Sequence, residues 1–524
     1  MRTRIRGAAA VTAALLAVPL VLTACSGGAS PAPGESSPSS PSTTTGGAPV
    51  AGGTLTIAAS NDNNSFDRAD LAIGNQTQYW MPVYDTLLVL DAHATLQPNL
   101  ATAWSYNADA TVLTLTLRTG VTFSDGTPFD ASAVKANLEY LAAGTGQNAY
   151  MAKSVSQFDV VSPTEIKLHL SAPDPGLLGY LAVVGGAMAS PPTLGTDGSK
   201  TMPIGSGPYR LDPDATTPGS QYTYRKDTGY WNSSAFPYDT IVIKPMQDNT
   251  ARLNALKTGQ VDVGNIEPQA IAEAEASGLE ITRNLLDWRG LFIADRAGTM
   301  VPALADVRVR QAINYAFDKE AILKNLQLSE GEVTSQPFNR LSEAYVADLD
   351  GYYSYDIDKA RSLMSEAGYP DGFEVTMPDL AAFPQVTPII EQQLAQIGIR
   401  VKWVKVGADA AIPALLSGKY PMFWFSLGSQ SAWQDMRKFA FTESPWNSAH
   451  VADPKLADLL AQVQATQGAE QKAAFQAVNR YLVENAFFAP WYRVALLQAH
   501  SPKVSVTVQP WNAVPWISGF QPTP

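Results

Sequence analysis

One cysteine in 524 residues leaves no partner for an internal disulfide and no set of thiolates for a structural zinc. Histidine is nearly as scarce. His93, His169, His450 and His500 lie far apart, and none falls in an H-x-x-x-H spacing. Basic charge is also short: 36 Lys and Arg stand against 48 Asp and Glu, a net charge of −12. That balance excludes a nucleic-acid partner held by phosphate neutralisation. The chain has no G-x-S-x-G elbow, no Walker phosphate loop, no H-E-x-x-H and no G-x-G-x-x-G after a strand. Its nearest glycine-rich loop, Gly205-Ser206-Gly207-Pro208, lacks the phosphate-cradling Lys, and Pro208 has no N–H to donate. With 48 acidic residues, a distant carboxylate pair for glycoside hydrolysis stays open on sequence grounds. Hydrophobic content of 45% excludes a wholly disordered chain, and the length exceeds what one core supports, so two or three domains are expected.

Beyond the N-terminus no hydrophobic run is long enough to span a bilayer. At the N-terminus, Arg2, Arg4 and Arg6 precede an apolar run from Ala8 to Leu22. As a helix that run rises roughly 23 Å, short of the ~30 Å hydrocarbon core, which fits a secretory signal better than a permanent anchor. It ends in Leu22-Thr23-Ala24-Cys25, which resembles a bacterial lipobox. This predicts a signal peptide over 1–24 and a lipidated Cys25, whose acyl chains hold the protein at the outer face of the cytoplasmic membrane. Residues 25–52 are the lipidated Cys and a flexible linker of Ser, Thr, Pro, Gly and Ala.

The remainder mixes strand and helix patterns, an α/β body. Thr54–Ala58 reads as a short strand, followed by the turn-forming Ser60-Asn61-Asp62-Asn63-Asn64-Ser65. Thr111–Leu117 alternates Thr with Val and Leu as a half-buried strand does. Ala131–Ala142 has helical spacing, and Val160–Leu170 is a strand region around Ser162-Pro163. Asp306 predicts the cap of one long helix to about Leu326, and Asp356 or Asp358 that of another, stopped at Gly368. A third helix covers Pro388–Ile397, a strand Ile399–Val406, and Leu456–Gln467 with Gln471–Asn485 forms a closing helical pair.

Aromatics are plentiful, with 11 Trp, 20 Tyr and 18 Phe. Several sit in polar surroundings: Tyr79-Trp80, Trp288-Arg289, Trp433-Gln434-Asp435 and Trp446-Asn447. Rings beside hydrogen-bonding groups suit recognition of an organic solute, although any single ring fits a core as readily.

Longer motifs carry a resemblance. Pro98-Asn99-Leu100-Ala101-x-x-Trp104 is followed by Leu117-Arg118-x-Gly120-Val121-x-Phe123-Ser124-Asp125-Gly126-Thr127-Pro128-Phe129. Then come Ile204-Gly205-Ser206-Gly207-Pro208-Tyr209, Tyr230-Trp231, Leu256-x-x-Gly259-Gln260-Val261-Asp262 and Asp306-x-Arg308-Val309-Arg310-Gln311-Ala312-Ile313. Ala360-x-x-Leu363-x-x-x-Ala367-Gly368-Tyr369 completes the series. Their order resembles the family 5 extracellular solute-binding proteins, the peptide/nickel type serving ABC importers.

That resemblance implies a two-lobed periplasmic-binding-protein-like fold of class II type, with three domains and a ligand cleft between lobes. Domain I would combine 53–90, 203–290 and 504–524; domain II would be the insertion 91–202; domain III would be 291–503. It implies a non-enzymatic monomer without cofactor or metal that hands a solute, most often a peptide, to membrane permease subunits. An oligosaccharide receptor is the alternative, and a secreted hydrolase on the same scaffold a further one. By position, Asn61, Asn63 and Tyr150 would contact ligand, and Trp288 and Arg289 would face the cleft. Phe425, Ser429, Gln430 and Trp433 fall where peptide binders often read W-x-x-D, whose Asp pairs with the peptide α-ammonium. This alignment sets Gln430 at the acid's place. An amide cannot neutralise a buried ammonium, so either Asp435 supplies the charge from a shifted loop or Arg289 clamps an anionic group instead.

Overall fold

A computed structural model describes residues 52–407 and 410–523. Its backbone is organised by a nine-stranded mixed sheet whose order is Met422–Leu427, Glu280–Ile293, Phe488–His500, Val263–Ile266, Thr54–Ala59, Thr240–Pro245, Tyr222–Lys226 and Tyr209–Leu211. The short strand Gly331–Val333 adds to Phe488–His500 off this path. Two members are long, Glu280–Ile293 with 14 residues and Phe488–His500 with 13. These crossing strands pair antiparallel from Glu280 opposite His500 to Phe292 opposite Phe488. One end of the pair adjoins Val263–Ile266, the other Met422–Leu427. Phe488–His500 is buried along nearly its whole length, as expected of a strand covered on both faces.

The alternation of Val112–Leu117 works as the sequence predicts. Leu113, Leu115 and Leu117 are buried, and the strand pairs with Ala101–Tyr106 and Glu165–Leu170 in a four-stranded antiparallel sheet closed by Val155–Ser162. The Ser162-Pro163 turn thus separates two strands. Helix Ala131–Ala143 begins where Asp130 accepts the Ala133 N–H at 2.9 Å, and Asp356 and Asp453 cap Ile357–Glu366 and Pro454–Ala465 in the same way. Such a cap contributes about 1 kcal/mol.

One expectation fails here. The helix foreseen from Asp306 to about Leu326 is two helices, Val307–Tyr315 and Lys319–Gln327. Asp318 stands between them outside helical φ/ψ, its carboxylate accepting the Ala321 N–H at 3.0 Å. The break turns Phe317 into the core against Trp491, ring centroids 5.1 Å apart. Helical periodicity ran through the boundary because both segments bury the same side, whereas an Asp three residues before an unpaired N–H is a start signal.

The crossing strands are irregular where they matter most. Register shifts fall between Leu285 and Trp288 and between Arg289 and Gly290. At the second, a Cβ on Gly290 would come within 2.4 Å of the Ala489 carbonyl oxygen and 2.6 Å of Pro490 Cα, so the strands approach this closely only because the residue has no side chain. Gly290→Ala is therefore expected to lower stability by about 1–3 kcal/mol, the ordinary cost of overpacking, read as a lower urea midpoint with an unchanged m-value.

Candidate functional site

Two segments distant in the chain meet, and one of them follows the strand paired with the first crossing strand. One runs from Pro173 to Tyr180, and the other is the loop after Met422–Leu427 with the helix Ala432–Phe439. A Cβ on Gly176 would lie 2.5 Å from the Tyr180 ring and 2.8 Å from Trp433 Cδ1, so the glycine is what lets the indole close onto this segment. Tyr150 meets Tyr180 edge-on with centroids 5.6 Å apart. Its hydroxyl is neighboured by Gln434, Asp435, Asp174 and Arg437. Further out, Gln464 Nε2 donates to the Pro173 carbonyl at 3.4 Å.

The loop before the helix is fastened to it. The Gln430 N–H donates to both oxygens of Asp435, at 3.0 and 3.1 Å, and Ser431 Oγ donates to Gln434 Oε1 at 2.9 Å. Lys438 Nζ donates to the Gly428 carbonyl at 2.7 Å and to Asp435 Oδ1 at 2.9 Å. A carboxylate in the first helical turn that answers an upstream N–H works like a capping box and is helped by the helix dipole. Asp435 is only 1% exposed. Burial raises its carboxyl above the ordinary range, with Lys438 and the Gln430 N–H opposing. Its charge is thus already answered inside the protein, and Gln430 enters this arrangement through its backbone.

The other residues inferred from sequence divide. Arg289 lies in register with Ser426 and Tyr492, and its Nε donates to Ser426 Oγ at 3.3 Å. Among the described residues no carboxylate comes within 4.0 Å of its guanidinium, and its two terminal nitrogens make no hydrogen bond. Ser429 is buried with its Oγ unpartnered, as are Gln434 Nε2 and the Tyr492 hydroxyl. Phe425 is half-buried and stacked on Trp446 at 4.9 Å. Trp433 is buried edge-on to Phe441 at 5.4 Å. Trp288 does not face a cleft. It is 1% exposed, stacked on Phe292 at 4.8 Å and edge-on to Phe488 at 5.4 Å. Successive strand residues point to opposite faces, so a strand that turns Arg289 one way commits Trp288 to the core. Asn61 and Asn63 sit in a loop with its own hydrogen bonds, and Asn61 Oδ1 is buried without a partner. Tyr79 donates to the Asn61 carbonyl at 2.6 Å, the Asn63 N–H donates to Asp62, and no hydrogen bond among the described residues joins either to the 428–438 segment. Cys25 lies outside the described residues.

Three charged groups escaped the sequence reading. Asp174 accepts the Gly176 N–H at 3.0 Å, and burial raises its carboxyl while hydrogen bonds and Arg437 oppose. Lys438 is the staple described above. Asp287 precedes Trp288 at the first register shift, and burial raises its carboxyl too. Arg289 and Lys438 oppose that rise, and Asp435 reinforces it. A signal for Asp287 was available, an acid set between Leu285-Leu286 and Trp288 in a strand. Among the described residues no three His, Cys, Asp or Glu gather as a metal site, and no helix is long and apolar enough to cross a membrane.

The profile of the bacterial extracellular solute-binding proteins, family 5, matches residues 95–448. The chain belongs to this family. A curated relative, the glutathione-binding protein GsiB of Escherichia coli K12, is 29% identical over 447 residues, covering 80% of this chain and 85% of its own. Among solved structures, HbpA2 from Haemophilus parasuis superposes with a TM-score of 0.79 at 21% identity, covering 90% of this chain and all of that one. DppA from Helicobacter pylori, in complex with the peptide STSA, superposes at 0.73 with 21% identity, covering 90% and 99%. The α/β fold of periplasmic binding proteins is therefore the fold of this family 5 member.

The raised Asp287 carboxyl has a consequence for stability. The folded protein keeps that proton to higher pH than the unfolded chain, so the stability contribution is greatest in acid and falls as pH climbs from the ordinary carboxylate range through the raised value. Asp287→Asn removes this half-buried charge. We expect the variant to have a higher urea midpoint than the parent at pH 7.5 and to lose that advantage as pH approaches 4. A lower midpoint at pH 7.5 would mean that Arg289 and Lys438 outweigh burial.

Proposed function

We propose that this chain captures a peptide or peptide-derived solute between the 150–180 and 425–438 segments, against Asp287 and Arg289 of the first crossing strand, and delivers it unaltered to an ABC permease. The observation that carries the reading is the guanidinium of Arg289. It is held by Ser426 yet unpaired with any carboxylate among the described residues, opposite Tyr492 in the ladder, and the loop and helix that follow Ser426 carry the orphaned polar atoms of Ser429 and Gln434. Buried polar groups are normally bonded, so this set is suited to a polar ligand. The names of GsiB, a glutathione binder, and of DppA, seen with a peptide, support the same class.

An oligosaccharide is less well served. Sugar-binding rings must offer a free face, whereas Phe425 is stacked on Trp446 and Trp288 on Phe292. The division into domain I (53–90, 203–290, 504–524), domain II (91–202) and domain III (291–503) belongs to this proposal, with the crossing strands as the hinge. So do the absence of catalysis, the monomeric state and the anchoring through Cys25.

Titration calorimetry with glutathione and a panel of di- to nonapeptides tests the reading. At least one should bind saturably and be recovered with unchanged mass; a product of altered mass would sink it. In the same assay Arg289→Ala should weaken binding tenfold or more, about 1.4 kcal/mol. Gly176→Leu places a side chain where Tyr180 and Trp433 now sit. It should weaken binding and enlarge the ligand-saturated particle in small-angle scattering.

A further inference from the structure

Between Leu285 opposite Ala495 and Trp288 opposite Arg493, the first crossing strand advances three residues while its partner advances two. One extra residue is thus inserted on the 285–288 side, a bulge of the kind that re-aims a side chain. The bulge is held in place: Asn339 Nδ2 donates to the Leu285 carbonyl at 2.6 Å and reaches the Leu286 carbonyl at 3.4 Å. On the other side, pairing with Met422–Leu427 ends at Trp288 opposite Leu427, so Asp287 stands one step past the ladder, facing Gly428. A Cβ on Gly428 would be 3.5 Å from Asp287 Oδ1, so the glycine leaves one flank of the carboxylate without a side chain over it.

The cations around this carboxylate are already engaged or out of contact. Lys438 is bonded to Asp435 and to the Gly428 carbonyl. Arg493, opposite Trp288, is bonded to Asp350 at 2.7 Å and to the Phe338 carbonyl. Arg289, two residues on, makes no ion pair within 4.0 Å, and Asp287 itself makes no hydrogen bond or ion pair among the described residues. The nearby Asp435 adds negative charge. Meanwhile the loop where the family resemblance expects an acid presents Ser429 and Gln430, and its one acid, Asp435, is committed to the loop's own N–H and to Lys438.

We infer that Asp287 is the ammonium anchor of this binding site, so that the bulged strand reads a zwitterionic, amino-acid-derived ligand with Asp287 at its positive group and Arg289 at its negative one. The assignment rests on the peptide reading of the site but makes a separate demand, a free amine. A half-buried carboxylate with no bonded cation is partly desolvated without compensation, and a ligand ammonium offsets that cost only while it is bound. The orphaned Ser429 Oγ and Gln434 Nε2 lie on the same loop and helix and are available to the ligand's remaining polar groups.

Calorimetric titrations of the full chain and of its Asp287→Asn and Asp287→Glu variants, with glutathione and the peptide panel each as free amine and N-acetylated, test the assignment. For the parent, acetylation should weaken binding by about 30-fold; for Asp287→Asn it should matter less than threefold, and Asp287→Glu should restore part of the discrimination. An acetylation penalty of equal size in parent and Asp287→Asn would overturn the assignment while leaving the peptide reading intact. So would parent affinities indifferent to acetylation. Absence of any peptide binding to the parent would overturn both. Coincident urea transitions for Asp287→Asn by two probes establish that the variant is folded.

Discussion

A single inserted residue in a pair of long antiparallel strands governs the geometry of the site. Without it, strict alternation would carry one set of side chains to one face from Glu280 to Ile293. With it, and with the second shift at Gly290, the strand changes partners' register twice within six residues. The stretch between holds Asp287, Trp288 and Arg289, so a charged group, a core ring and a second charged group follow one another in the middle of the largest sheet. Asn339 Nδ2 donates to the carbonyls of Leu285 and Leu286 within the irregularity, as carbonyls taken off a ladder require.

Around that strand the protein spends its charges on itself with care and leaves two of them out. Asp435, Lys438, Gly428 and Gln430 form a set that fixes the loop to its helix, and Arg493 is bonded to Asp350 and the Phe338 carbonyl in another. Asp287 and Arg289 belong to neither. Natural sites commonly hold groups that would be better placed elsewhere for stability alone, and burial that raises a carboxyl is a sign of such a compromise. The glycines serve the same end. Gly176 admits Trp433, Gly290 admits the neighbouring strand, and Gly428 keeps a side chain off the Asp287 carboxylate.

Much of the scaffold was legible from local patterns. The alternation in Thr111–Leu117, the Asp caps at Asp306 and Asp356 and the closing helical pair all recur in the structure, because each is decided by a few adjacent residues. The break at Asp318 was written in the sequence but masked by periodicity on both sides. The site was less legible. Tyr150 and Trp433 belong to the two segments that meet, Ser429 and Gln430 to the loop between Arg289's partner Ser426 and Trp433, and Trp288 went to the core. Lys438 gave no signal at all, since a lysine late in a short amphipathic helix reads as a solvated face.

The sequence alone therefore determined the family, the mixed α/β body and the starts of several helices, since these follow from composition, ordered motifs and interactions within a turn or two of chain. Only the tertiary structure decided which acids are left without a bonded cation. That choice depends on which cation stands within bonding distance of which carboxylate: Lys438 is three residues from Asp435, but Arg493 reaches Asp350 across 143 residues. A shift of one residue in register exchanges the two faces of a strand, and no local pattern in Leu285-Leu286-Asp287-Trp288-Arg289 specifies where that shift falls.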